Sequence, residues 1–151
     1  QDGNYSPLER VILGHDGTVQ SLLSLIFNEP VTVRVVDQVE HDTVIIRLVD
    51  LEINNLVIGR ARSRILTTNA PPVIAAVREK HLGLGQILAS LGIRTTRQIE
   101  NIGADEQTFW RSYTITAPDI IFYIQEYFPR ALYQGILTTW KWKVASLERT
   151  I

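Results

Sequence analysis

The chain contains neither cysteine nor methionine in its 151 residues. Without thiols it can form no disulfide and no thiolate metal site, and a reducing compartment suits it. The missing methionine has no physical explanation in the sequence. Neither sign of charge is in excess. Lysine and arginine number 15 against 16 acidic residues, a net charge of −1, so the polybasic footprint expected for nucleic acid or an anionic membrane is absent. No apolar run approaches the roughly 18 residues that a membrane-spanning helix needs. Histidine is scarce: His15, His41 and His81 are scattered, without the close spacing of a zinc motif, which argues against a metalloenzyme. No GxxxxGKS/T or GxGxxG loop occurs, and no serine sits in a nucleophile elbow. Gln1 is not an initiator residue and no charged-then-apolar leader precedes Ser6, so the start reads as a cloning or processing boundary.

What is present reads as one globular domain over residues 1–151, with 45% apolar and 21% charged residues. "SPLERVIL" opens with a helix start in which Ser6 is the N-cap, Pro7 lies in the first turn and Glu9 completes a capping box. "HDGTVQSLLSLIF" predicts a second helix capped by Asp16, with Val19, Leu22, Leu23 and Ile26 at helical spacing and Pro30 as its stop. Val31–Glu40 alternates as a strand. "TVIIRLVDLEINNLVIGRARSRIL" reads as a hairpin turning near Asn54-Asn55. "APPVIAAVREK" and "GLGQILASLG" predict two further helices, the second closed by Gly92. "IRTTRQIENIG" is a strand, and "FWRSYTIT" and "IIFYIQEYF" form a closing hairpin around "APD". About six strands joined mainly by hairpins predict an α+β domain, an antiparallel sheet with helices on one face. Residues 134–151 read as a C-terminal extension, a terminal helix or a tail.

Three features could carry chemistry. Arg47 in "VIIRLV" lies on a strand apolar on both faces, so it is covered whichever way it points, and a covered guanidinium calls for an anion. A lone strand arginine that snorkels to solvent is the commoner case. Glu126 interrupts "IIFYIQEYF" between the same-face neighbours Ile124 and Phe128. It is either half of a buried ion pair, with an arginine such as Arg60, Arg62 or Arg64, or a pocket carboxylate whose pKa desolvation raises. The third feature is the pair of glycine turns "HDGTVQ" and "GLGQIL", whose helix-start amides suit an anion but serve more often as plain caps. His15 and His81 flank these turns and could enter a site, although surface histidines are the commoner outcome.

In this order and spacing the segments "DGTVQSLL", "IGRARS", "GLGQIL", "TTRQIENIG" and "RSYTIT…YIQEYFPRALY", with Arg47 between the first two, resemble the chorismate pyruvate-lyase (4-hydroxybenzoate synthase) family, in particular its cyanobacterial and plastid branch. The similarity spans Ser6 to Tyr133. It implies a six-stranded antiparallel sheet with helices on one face, and a cofactor-independent carbon–oxygen lyase of quinone biosynthesis in the cytoplasm or plastid stroma. On that resemblance the partners are chorismate and its products, pyruvate and 4-hydroxybenzoate. Arg47 would bind the ring carboxylate, helped by backbone amides near Thr18 and at Leu84 and Gly85. Glu126 would face the 4-hydroxyl as base or hydrogen-bond partner, and Arg60 would stand near the pocket entrance. Thr18 stands where the bacterial ubiquinone-pathway enzymes have methionine. Effector domains of some transcription regulators share this fold and bind small molecules without reacting them, which is the alternative reading. A structural or assembly role would leave Glu126 unexplained.

Overall fold

The computed structural model describes residues 4–67, 71–79 and 82–134. Helix α1 (Pro7–Gly14) begins as its sequence dictates. Ser6 Oγ accepts from the Glu9 amide and Glu9 Oε1 accepts from the Ser6 amide, each at 3.2 Å. Thr18, and not Asp16, occupies the N-cap position of helix α2 (Val19–Phe27), without a side-chain capping bond. The reason lies in the preceding loop, where the His15 and Gly17 carbonyls accept from the Arg111 and Arg97 guanidiniums. Those residues are therefore held outside the helix. Asn28 ends α2 in the left-handed conformation (φ 52°), before Pro30.

Strand β1 (Thr32–His41) follows, paired along β2 (Val44–Ile53), which turns at Asn54-Asn55 into β3 (Leu56–Thr67). Both asparagines have positive φ, 49° and 66°, the conformation of a two-residue hairpin turn whose twist matches its strands. Helices α3 (Pro71–Arg78) and α4 (Leu84–Ser90) cross to the edge strand β4 (Thr96–Ala104). Gly92, at φ 65°, ends the second of them, as expected. β5 (Thr108–Ala117) and β6 (Ile120–Pro129) form the closing hairpin, and a short helix α5 covers residues 130–134. The predicted C-terminal extension otherwise lies outside the described residues.

All six strands join one antiparallel sheet in the order β1-β2-β3-β6-β5-β4. Its inward-facing residues pack under the helices in two apolar clusters. One gathers Ile45, Ile65, Ile115 and Phe122 beneath α3 and α4; the other gathers Leu51, Ile58, Phe109 and Phe128 beneath α1 and α2. The expected α+β sheet with helices on one face is therefore present. The second cluster centres on Tyr133, fully buried, which meets Phe109 edge-on and donates to the Ile58 carbonyl at 2.6 Å.

Glu9 does more than cap. It is fully buried and accepts from Arg130 Nε at 3.0 Å, while Arg130 also donates to the Asn4 and Asp105 carbonyls. One arginine thus ties the first helix, the β4–β5 turn and α5 together. Glu9→Ala is expected to cost roughly 3–5 kcal/mol in urea unfolding, because it leaves that cation unpaired and removes a cap. A loss below 1 kcal/mol would show the pair to be peripheral.

Candidate functional site

Strand β3 runs Gly59-Arg60-Ala61-Arg62-Ser63-Arg64. Period two turns Gly59, Ala61 and Ser63 under the helices and sends the three arginines to the open face. Small side chains thus occupy the centre of the covered face, where the two apolar clusters meet. A cavity of about 70 Å³ opens over Ala61 and Ser63. Leu84, Tyr113, Ile115 and Ile124 line it from one cluster, and Val19 and Leu51 from the other.

Arg47, beside Ser63 in the ladder, projects into this cavity at 1% exposure. Its one hydrogen bond goes from an Nη to the Leu82 carbonyl at 2.6 Å, and Nε and the other Nη find no acceptor among the described residues. Burial pulls its pKa below the ordinary arginine value, yet a guanidinium stays charged at neutral pH. A covered cation with two unanswered donors is costly to the fold. It is also well suited to a planar carboxylate.

Glu126 lines the same cavity from β6, at 2% exposure. It lies two strands from Arg47 and two residues along the ladder, a backbone offset of roughly 10 Å across and about 7 Å along the sheet. Glu126 is half of a buried ion pair, as one expectation had it, but its partner is none of the three arginines named. Arg60, Arg62 and Arg64 alternate onto the opposite face, so none can pair with it. It is at the same time a pocket carboxylate, though a paired one. Arg111, its direct ladder partner on β5, donates from Nε to Oε1 at 2.6 Å, and the Tyr113 hydroxyl donates to Oε2 at 2.9 Å. Arg111 is fully buried and also donates to the carbonyls of Ile12 (3.1 Å) and His15 (2.6 Å) at the end of α1. Those carbonyls are the acceptors a helix end leaves over.

The partner was present in the sequence pattern. Counting back from the two-residue turn at Pro118-Asp119 puts Arg111 opposite Glu126 and Tyr113 opposite Ile124, all on the covered face. Tyr113 is buried, and both that burial and the Glu126 charge push its pKa far above the ordinary tyrosine range, so it remains a hydrogen-bond donor. Glu126 keeps further lone pairs for another donor.

Other predicted site residues divide. Thr18, Leu84 and Gly85 all line the cavity, and the two glycine turns do converge: a Cβ placed on Gly85 would overlap the Thr18 methyl. Arg60 is not among the lining residues. Its guanidinium pairs with Asp50, at 2.7 Å, on the open face of the sheet, so it cannot guard an entrance formed on the covered face. Arg34 grips the same Asp50 at 2.9 Å. His15 contributes its carbonyl to Arg111, and its ring does not line the cavity; His81 lies outside the described residues. Ser63, Gln20, Gln86 and Arg97 also line it. No family model matches the chain, and no curated protein matches it.

Arg111→Met is expected to destabilise the protein by roughly 3–5 kcal/mol, since it strands Glu126 under the helices. Arg111→Met with Glu126→Leu should recover most of that loss in urea unfolding, whereas an additive double variant would show that the two charges are not coupled. Stability should also fall in alkali. Tyr113 and Tyr133 both have pKa values raised by burial above their ordinary 10.0. The folded state therefore holds these protons longer than the unfolded chain does. Their contribution is complete below pH 10 and is lost as pH climbs above it. Urea midpoints measured from pH 7 to pH 11 should decline above about 10, and less steeply for Tyr133→Phe.

Proposed function

We propose that the chain is a chorismate pyruvate-lyase, removing pyruvate from chorismate to leave 4-hydroxybenzoate. What carries this reading is Arg47: a covered guanidinium with two unanswered donors, lining an apolar cavity that also holds Glu126. A cation near one end and a carboxylate toward the other match a small ring bearing a carboxylate and a para hydroxyl. The sequence resemblance supports the same assignment for the same two residues. No cofactor enters the proposal.

The chemistry asks little of the protein. A base takes the C4 proton, the electrons of that C–H bond form the C3–C4 double bond, and the C3–O bond breaks to release enolpyruvate. The ring becomes aromatic, and enolpyruvate gains a proton on carbon as it becomes pyruvate. The site must hold the substrate with that C–H and C–O bond aligned and place an acceptor at C4. Among the described residues that line the cavity, Glu126 is the sole carboxylate and no histidine joins it. It is therefore the group that accepts at C4, by taking the proton or by orienting the hydroxyl. Arg111 and Tyr113 hold both of its oxygens and fix the direction of the remaining lone pairs. Arg47 anchors the ring carboxylate, with the amides at the starts of α2 and α4 beside it. Apolar walls from Val49, Ile115 and Ile124 exclude water around the ring.

The direct test is absorbance detection of 4-hydroxybenzoate formed from chorismate by the purified protein. Protein that binds 4-hydroxybenzoate yet leaves chorismate untouched would replace the lyase with a small-molecule-sensing domain. Arg47→Leu separates binding from folding. It should weaken 4-hydroxybenzoate binding by roughly 2–5 kcal/mol while raising thermal stability, because it removes a buried unsatisfied charge. Unchanged affinity would refute the anchor. Glu126→Gln should abolish most turnover and also lower stability, since Arg111 would lose its counter-charge.

A further inference from the structure

Arg97 is a second cation of the cavity, and the scheme above leaves it without a task. It stands half-buried on the edge strand β4, lining the cavity rim. One Nη donates to the Gly17 carbonyl at 2.5 Å, and the guanidinium stacks on the Tyr113 ring at 4.7 Å from its centre. Among the described residues it has no carboxylate partner, and its remaining donors make no hydrogen bond. Arg34, Arg60, Arg78 and Arg130 are each paired with an acid; Arg10, Arg62, Arg64 and Arg94 also have no ion pair among the described residues, but they are exposed and none lines the cavity.

We propose that Arg97 binds a second carboxylate of the ligand, which on the lyase reading is the enolpyruvyl carboxylate of chorismate. The geometry decides which end of the ligand it serves. Arg97 lies over Tyr113, and the Tyr113 hydroxyl is bonded to Glu126. Its charge therefore sits at the Glu126 end of the cavity, away from Arg47. With the ring carboxylate on Arg47 and the 4-hydroxyl at Glu126, the C3 ether leaves the ring next to that hydroxyl. Its carboxylate then extends toward the rim, where Arg97 stands. Among the described residues that line the cavity, Arg47 and Arg97 are the two cations, matching the two carboxylates of the substrate. Once the C3–O bond breaks, pyruvate carries its carboxylate away, and 4-hydroxybenzoate keeps only the Arg47 contact. Arg97 thus favours substrate over product. Its planar fork can accept a carboxylate while one Nη keeps Gly17 in place.

The test compares two ligands by calorimetry: 4-hydroxybenzoate, with one carboxylate, and 3-(1-carboxyvinyloxy)benzoate, with two and unable to eliminate. Arg97→Gln retains a donor for the Gly17 carbonyl and removes the charge. It should weaken the dicarboxylate by about tenfold or more and leave 4-hydroxybenzoate within about twofold. In turnover it should raise the chorismate KM by a similar factor with little change in kcat. An equal loss for both ligands would reduce Arg97 to a clasp on the α2 loop, and no loss for either would remove it from the site; both outcomes overturn the proposal. The lyase reading fails separately. Parent protein that binds the dicarboxylate through Arg97 but leaves chorismate intact upholds the second-carboxylate site and sinks the lyase. Parent protein that turns over chorismate with an unchanged KM in Arg97→Gln does the reverse. Parent protein that binds neither ligand counts against both.

Discussion

The covered ion pair between Arg111 and Glu126 is the constraint on which the rest of the structure depends. Two charges without solvent contact are tolerated when most of their polar atoms are bonded, and among the described residues one Nη of Arg111 is the atom of this pair left without a partner. Here the bonds come from three separate parts of the chain. Arg111 satisfies the carbonyls at the end of α1, and through them sets where the His15–Thr18 loop runs and where α2 can begin. Glu126 is held by β5 on both oxygens, which fixes the register of the closing hairpin as firmly as the turn does. A slip of one residue would place both charges on the opposite face of the sheet. Helix, loop and hairpin therefore answer to a single contact.

A cavity beside such a pair requires small residues, and β3 supplies them. Ala61 and Ser63 separate Arg47 from the wall carrying Glu126, where larger side chains would have closed the sheet against the helices. The two apolar clusters consequently stay distinct and a seam survives between them. Arg47 projects into that seam at a cost to folding, with no acid among the described residues to meet it. Arg111 is matched by an acid and stabilises the fold; Arg47 is unmatched and burdens it. That contrast fits the first to architecture and the second to the binding role proposed for it.

Much of the site is readable from pattern alone, residue by residue. Arg47 and Glu126 are conspicuous because each breaks an apolar strand. The convergence of Thr18 with Leu84 and Gly85 was foreseen from the helix starts combined with the family resemblance. Arg60 misled, because resemblance assigned a role that alternation forbids: in "GRARSR" the small residues and the arginines must face opposite ways. The partner of Glu126 was missed for want of a register count from the Pro118-Asp119 turn. Asp16 yielded the cap to Thr18 through contacts from Arg111 and Arg97, far away in the chain.

Local physics determined the elements. Capping at Ser6, paired asparagines at the β2–β3 turn, glycine at the end of α4 and alternation in the strands each act over a few residues, so the sequence by itself fixed six strands, four helices and the α+β class. Tertiary structure alone decided which charges meet. Arg111 reaches carbonyls nearly a hundred residues away in the chain, Arg97 reaches the loop before α2, and Arg47 meets no acid among the described residues. Such pairings depend on strand order and on which helix covers which strand, and those are set by how the whole set of apolar faces packs together. No short window of sequence contains that information.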